Sequence, residues 1–203
     1  MFDFKAVEAE NNWKTRFELF EQKLDFKENI LNNGTHLDFG CGFGAFAKIL
    51  AEKYPCLQVC GIDTDREKIQ VGSQRYKLPN LRLIHSNEVL GNYSSCTAFV
   101  TLHEIVDSIG ALRNLYEHLN NDGRMMIYDF RKTSKAKYRE WYEKGKREHC
   151  FEEEYQKHNR WTAEEFKRMC EDAGFKTVKV ERYRNYWLFY IGKKAVVSER
   201  ARF

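Results

Sequence analysis

The chain of 203 residues has no C-x-x-C pair. Its six cysteines, Cys41, Cys56, Cys60, Cys96, Cys150 and Cys170, are scattered, most of them inside apolar runs. That spacing argues against a zinc or disulfide framework, so no bound metal is expected, and reduced core thiols in a cytoplasmic protein are. No run of about 18 apolar residues exists to cross a membrane. The opening MFDFKAVEAENNWK lacks the basic and then apolar stretch of a signal peptide. Internal repeats and low-complexity segments are absent too. Charge is not strongly of one sign: 34 Lys and Arg against 30 Asp and Glu leave +4. This excess tolerates nucleic acid or an acidic metabolite and requires neither. With 42% hydrophobic residues, the chain can bury the core of one domain over residues 1–203, with little room for a second catalytic domain.

Trp13, Phe17, Phe20 and Leu24 recur at i, i+4, i+7 and i+11, which predicts an amphipathic helix within 5–31. Strands and helices then alternate. Strands are expected at 35–39, 57–63, 81–85, 96–101 and 124–130, with helices at 44–54, 66–76 and 108–119. An Asn-Asp-Gly turn precedes the fifth strand, and the stretch 86–95 carries no helical signal. Short unbroken apolar strands between amphipathic helices predict a parallel sheet covered on both faces. Thr162 and Glu165 form a capping box for a helix that Gly174 closes. The runs KTVKVER and NYWLFYIG follow, about two residues apart, a gap too short for a parallel crossover. The fold class is therefore α/β: a doubly wound, mostly parallel seven-stranded sheet ending in an antiparallel hairpin. The tail KKAVVSERARF reads as a loosely held end.

The motif HLDFGCGFGAF at 36–46 joins the first strand to the first sheet-covering helix. It fits the dinucleotide fingerprint through Gly40, Gly42 and Ala45, and it fits acid-x-G-x-G-x-G through Asp38, Gly40, Gly42 and Gly44. Either way the glycines let backbone N–H groups turn toward an anion and a ligand come close. Asp38 discriminates between the two, because a carboxylate suits an ammonium group better than a pyrophosphate. The second strand ends in Asp63, where an acid can accept both hydroxyls of a ribose, while Asp65 is available as helix cap. The third strand runs into Asn87, whose amide can meet an adenine amino edge.

Taken with GID at 61–63, TAFVTLHEIVD, LRNLYEHLNNDGRMMIYDF and WTAEEFKRMCEDAGF, the glycine motif resembles the class I S-adenosylmethionine-dependent methyltransferases, over roughly residues 30–192 and closest to the small-molecule branch. The resemblance implies a Rossmann-like fold and S-adenosyl-L-methionine as cofactor. It places Asp38, Gly40, Cys41, Gly42 and Gly44 around the methionine part. Asp63 then falls at the ribose and Asn87 at the adenine, with Thr64, Glu88 and Thr101 as further cofactor-binding residues. Asn87 departs from the family, which usually has Asp there; an amide oxygen can still accept from the adenine amine.

The same resemblance puts the reacting methyl group just past the fourth strand, beside His103 and Glu104. His103 is then a candidate base, since an imidazole titrates near 6.5. Tyr128 is a second catalytic candidate at the end of the fifth strand, with Asp129 and Arg131 beside it. Residues 131–161 form an insert whose first thirty residues hold ten Lys and Arg against six Glu, with Tyr138, Trp141, Tyr142, Phe151 and Tyr155 among them. That composition reads as a helical lid whose aromatics cover a substrate. Tyr183, Tyr186, Trp187 and Tyr190 read as sheet core and edge. The expected activity is methyl transfer to a small-molecule acceptor by in-line displacement, the alternatives being an RNA or protein methyltransferase or a non-catalytic cofactor-binding protein.

Overall fold

A computed structural model describes residues 2–29, 34–145, 150–184 and 187–194. One seven-stranded sheet organises them: β1 (Thr35–Phe39), β2 (Gln58–Asp63), β3 (Leu81–His85), β4 (Tyr93–Phe99), β5 (Leu119–Phe130), β6 (Phe175–Tyr183) and β7 (Trp187–Lys194). The strand order is β3-β2-β1-β4-β5-β7-β6. The first five strands are parallel, and β7 runs antiparallel between β5 and β6. The hairpin required by the short connection is thus present. The strand order reverses between β1 and β4, which creates a crevice at their carboxyl ends.

The helices are α1 (Phe2–Leu24), α2 (Phe26–Asn29), α3 (Ala45–Lys53), α4 (Arg66–Arg75), α5 (Ser108–Glu117), α6 (Lys135–Lys144), α7 (Phe151–His158) and α8 (Ala163–Asp172). Side chains along β5 alternate between two cores, as the period of a strand dictates. Met126 and Tyr128 face one core with Phe17, Phe20 and Leu24 of α1 and Phe46 and Leu50 of α3. Met125 and Ile127 face the other with Leu112 and Leu115 of α5 and Phe166 of α8. Phe20 is fully buried, and each such ring contributes roughly 1.5–3 kcal/mol. The capping box forms as expected: Glu165 N–H donates to Thr162 Oγ1 at 3.1 Å and Thr162 N–H to Glu165 Oε2 at 2.7 Å.

Several boundaries differ from expectation for local reasons. The first helix does not run on through 5–31; Asp25, with φ 46°, separates α1 from α2. The strand expected at 96–101 starts earlier, at Tyr93, and stops at Phe99, because Val100 has φ 56° and Thr101 enters a short 3₁₀ turn, Leu102–Glu104. The Asn-Asp-Gly turn is absorbed into β5 as a bulge between Leu119 and Arg124, with Asp122 at φ 63°. The expected helix end at 30–31, residues 146–149 of the insert, the hairpin turn with Tyr186 and the tail from 195 lie outside the described residues.

Candidate active site

The glycine loop lies at the carboxyl end of β1, in the crevice. Gly40, Gly42 and Gly44 have φ of 72°, 57° and 76°, a region that L side chains enter at a cost of about 1–2 kcal/mol. A Cβ on Gly40 would stand 2.3 Å from Thr101 Cγ2, whereas one on Gly42 would meet nothing within 4 Å and project into open space. The first glycine lets the turn after β4 approach, and the second keeps the groove clear.

Four of the loop's N–H groups are turned to the protein and not to an anion, contrary to the sequence expectation. Gly40 and Cys41 donate to Ile62 O at 2.9 and 3.0 Å, Gly44 donates to Cys41 O at 2.9 Å, and Gly42 donates to Asp63 Oδ2 at 2.7 Å. Four donors that would cradle a pyrophosphate are satisfied inside the protein. That arrangement disfavours the dinucleotide reading of the motif.

Asp38 lies under the loop, buried. Its Oδ1 accepts from Thr97 Oγ1 at 3.0 Å. Thr97 Oγ1 in turn lies 3.0 Å from His36 Nε2, and His36 Nδ1 lies 2.8 Å from Ser95 Oγ. Because the Thr97 proton goes to Asp38, Thr97 accepts from His36 Nε2–H, and Nδ1 accepts from Ser95. Burial pushes His36 down to about 3 and Asp38 up to about 7. Asp38 Oδ2 is buried with no hydrogen-bond partner among the described residues. It borders a pocket of about 230 Å³ with Trp13, Gly40, Cys41, Gly42 and Phe99. An orphaned carboxylate oxygen is costly until a donor meets it. The amino group of a methionine moiety is such a donor, so this pocket fits the implied cofactor.

Beside it runs a groove of about 850 Å³, bordered by Gly40, Gly42, Asp63, Thr64, Asn87 and Thr101. Asp63 Oδ1 accepts from Asp65 N–H at 2.8 Å, so each of its oxygens holds one backbone donor and keeps a lone pair for another. Asp65 caps α4 by accepting from Lys68 N–H, as expected. One expected contact stands elsewhere, and Cys41 borders the Asp38 pocket with its sulfur turned inward. Glu88 is exposed away from the groove, its N–H donating to Ser86 Oγ. Cys41 packs its sulfur beneath Gly61, and burial raises its thiol well above the usual range. Gly44 serves as the left-handed N-cap of α3, tight against Leu83.

A third cavity, about 680 Å³, opens on the other side of Val100. Its walls include His103, Glu104, Tyr128, Phe130, Trp141, His158, Tyr183 and Trp187, with Arg16 and Arg184 also on its lining. His103 is buried, with Nδ1 2.7 Å from Asp129 Oδ1, and Asp129 is fully buried at the end of β5. Tyr128 reaches the cavity as an aromatic wall, stacked on Trp187 at 4.5 Å, and burial raises its phenol pKa, which disfavours a role as base. Arg131 points away: it donates to Lys132 O and Arg184 O. Tyr183 and Trp187, expected only in the sheet, line this cavity because β7 follows β5 in the sheet and carries its face to the same end.

The insert packs differently from a cover made of aromatics. Tyr138, Tyr142, Phe151 and Tyr155 contact one another between α6 and α7, and Trp141 alone of the five borders the cavity. The end of α7 supplies what the sequence did not signal. Arg160 donates to the carbonyls of Leu102, His103, Ile105 and Val106 at 2.6–3.4 Å, and Lys157 pairs with Glu104. His158 stacks on Phe130 at 3.8 Å. No periodicity or spacing ties these residues to His103; only the tertiary fold does.

The family model described as a methyltransferase domain matches residues 13–180. No curated protein sequence matches the chain. Among solved structures, an S-adenosylmethionine-dependent methyltransferase from Aquifex aeolicus superposes with a TM-score of 0.70 at 19% identity, covering 94% of this chain and 97% of the other. The plantazolicin methyltransferase BpumL, solved with S-adenosylhomocysteine, gives 0.68 at 16% identity, covering 94% and 89%. Human N-acetylserotonin methyltransferase, solved with S-adenosylmethionine, gives 0.69 at 13% identity, covering 96% of this chain and 56% of the other. These similarities establish a shared fold, and the match over most of the length establishes the family. The chain belongs to the methyltransferase-domain family, with the Rossmann-like fold of the class I S-adenosylmethionine-dependent enzymes.

Proposed function

We propose that this methyltransferase acts on a small-molecule acceptor held in the aromatic cavity. The carrying observation is that the pocket of Asp38, the groove of Asp63 and the cavity of His103 all border one residue, Val100. Bound in the first two, S-adenosylmethionine would supply an electrophilic methyl carbon on a sulfonium. Asp38 would take its ammonium group, Asp63 with Thr64 its ribose, and Asn87 its adenine edge. The acceptor's lone pair then forms the new bond to carbon as the carbon–sulfur bond breaks, its electron pair staying on sulfur. His103, aimed by Asp129, faces the acceptor and can receive its proton. Holding the acceptor in line contributes most, since proximity and orientation supply about 7–11 kcal/mol.

A half-enclosed cavity of about 680 Å³ with Tyr128, Phe130, Trp141 and Trp187 on its walls suits a ring-sized molecule, and Arg16 and Arg184 suit an anionic or polar group on it. The test is incubation of the protein with S-adenosylmethionine and a metabolite extract, with mass detection of methylated products. A donor-dependent small-molecule product is expected. Methyl label appearing only in RNA or protein, with salt-sensitive binding, would replace this reading with the one the basic insert favours. Asp63→Ala should weaken donor binding severely, and unchanged affinity by calorimetry would remove the assignment of the groove.

A further inference from the structure

The end of α7 brings His158 beside the turn that holds His103 and Glu104. One donor atom from each of these three residues lies within 4.8 Å of the other two. Both histidines are buried, and their rings stand nearly perpendicular with centroids 4.7 Å apart. Each ring has its Nδ1 held from behind: His103 by Asp129 Oδ1 at 2.7 Å, His158 by Tyr138 Oη at 2.6 Å. Each Nε2 has a carboxylate oxygen in front of it, Glu104 Oε1 at 3.1 Å from His103 and Glu154 Oε2 at 3.5 Å from His158.

We propose that His103, Glu104 and His158 bind a divalent transition-metal ion of the zinc type on the wall of the acceptor cavity. Two imidazoles and one carboxylate form a three-ligand set of the kind that leaves a coordination position open, and here that position faces the cavity. Histidine ligands ordinarily donate their second ring N–H to a carboxylate or another acceptor, which fixes the tautomer and aims the lone pair; Asp129 and Tyr138 stand where such partners belong. A neutral imidazole carries one N–H, yet His103 has a carboxylate oxygen against each nitrogen, so a cation at Nε2 satisfies the contact that a proton would otherwise have to fill. Next to the cluster, Asp129, Glu104 and Glu154 oppose Lys157 and Arg160, while Arg16 and Arg184 stand elsewhere on the lining of the cavity. Bonds of about 2.0–2.1 Å hold tetrahedral donors roughly 3.3 Å apart, so the cluster must contract somewhat. Glu104, whose side chain is 48% exposed, has the freedom to move. Lys157 engages Glu104 Oε2 and leaves Oε1 toward His103.

The sequence gives no hint of this cluster, because its two histidines come from separate elements and have no ligand spacing. It also accounts for the insert, which completes a site that the sheet alone leaves one ligand short. The binding itself is independent of the methyl-transfer reading; its role there rests on that reading. An ion at this place would ligate an oxygen of the acceptor and release its proton toward Glu154, and His103 would then act as a ligand and not as the base.

The test uses the full chain, stripped with a chelator and titrated with Zn²⁺ by calorimetry and with Co²⁺ by visible absorption; S-adenosylhomocysteine affinity is measured on the same samples. One Zn²⁺ per chain and a ligand-field band from Co²⁺ are expected. His158→Gln and Glu104→Gln should each weaken Zn²⁺ binding at least about tenfold, by comparison with the 10- to 100-fold typical of outer-shell changes, and His158→Gln, which does not border the donor groove, should leave S-adenosylhomocysteine affinity unchanged. Absence of a Co²⁺ band and of Zn²⁺ heat, or equal Zn²⁺ affinity in wild type and variants, would overturn the site. Should His158→Gln not fold, Glu104→Gln decides, since that side chain is half exposed. S-adenosylhomocysteine binding without Zn²⁺ binding removes the metal proposal alone; the converse upholds it and removes the methyl-transfer reading.

Discussion

His103 Nδ1 stands 2.7 Å from Asp129 Oδ1, and the second oxygen of that carboxylate accepts the backbone N–H of Leu102 at 2.8 Å and of His103 at 3.3 Å. One fully buried side chain at the end of β5 thus sets both the ring and the backbone turn that carries it. In Asp129→Asn the amide nitrogen would face donors wherever it is placed. Stability should drop by about 1–3 kcal/mol, and turnover with an identified acceptor by on the order of 10²-fold, the scale of a misplaced catalytic group. S-adenosylhomocysteine affinity should fall far less than turnover, because Asp129 itself does not border the donor groove, although Glu104 of the turn it holds does; an equal loss of both would contradict a role centred on His103.

Asp38 predicts a pH dependence whose sign follows from its shift. Burial raises its carboxyl from 3.8 to about 7, so the folded protein favours the protonated form. This contribution to stability is fully present below about 4 and is lost as pH rises through about 7. The advantage of Asp38→Asn over wild type in melting temperature should therefore grow toward about pH 8. Donor affinity should move oppositely, rising in wild type between about pH 6 and 8 as the carboxylate forms and staying flat in the variant. Calorimetric titration with S-adenosylhomocysteine at several pH values reads both; a flat wild-type profile would detach Asp38 from the ammonium.

Gly42→Ala separates conformational strain from obstruction. At φ 57° an alanine costs about 1–2 kcal/mol of stability, while its methyl group collides with no protein atom. A ligand in the groove should feel that methyl, so donor affinity is expected to fall more than tenfold while the protein stays folded. Thermal melts together with calorimetry check this, and full affinity in the folded variant would mean that the ligand does not pass over Gly42.

Arg160→Lys should loosen the turn from the side of the insert. A single ammonium cannot reproduce a guanidinium bonded to four carbonyls. Faster amide exchange at 102–106 is expected, with turnover lowered roughly tenfold or more; Glu104 and Ile105 of this turn also border the donor groove, so donor affinity should fall by less than turnover. Unaltered exchange would show that the loop holds itself.

The sheet, the capping box at Thr162 and the closing hairpin were legible because their signals are local: alternation, cap chemistry and the length of one connection. The placement of Asp38 and Asp63 beside the glycine loop was legible for a related reason, since each sits at a fixed offset from the glycines and strand ends. The hydrogen bonding of the glycine loop was not, because Ile62 O, which takes two of its donors, belongs to a neighbouring strand. Nor was the pairing of His158 with His103, which depends on how α7 docks. The aromatics of the insert misled for the opposite reason. They are numerous enough to suggest a binding surface, yet Tyr138, Phe151 and Tyr155 are needed to give two short helices a core of their own.

Val100 combines a β-branched side chain with φ 56°, a conformation that such residues rarely tolerate, and its N–H donates to Tyr128 O at 2.7 Å. With donor and acceptor in the spaces proposed for them, the Val100 side chain would stand between the two. A bulkier side chain would narrow the aperture through which the methyl carbon passes, and a smaller one would let water through beside it. On that reading Val100 would tie transfer efficiency to leakage.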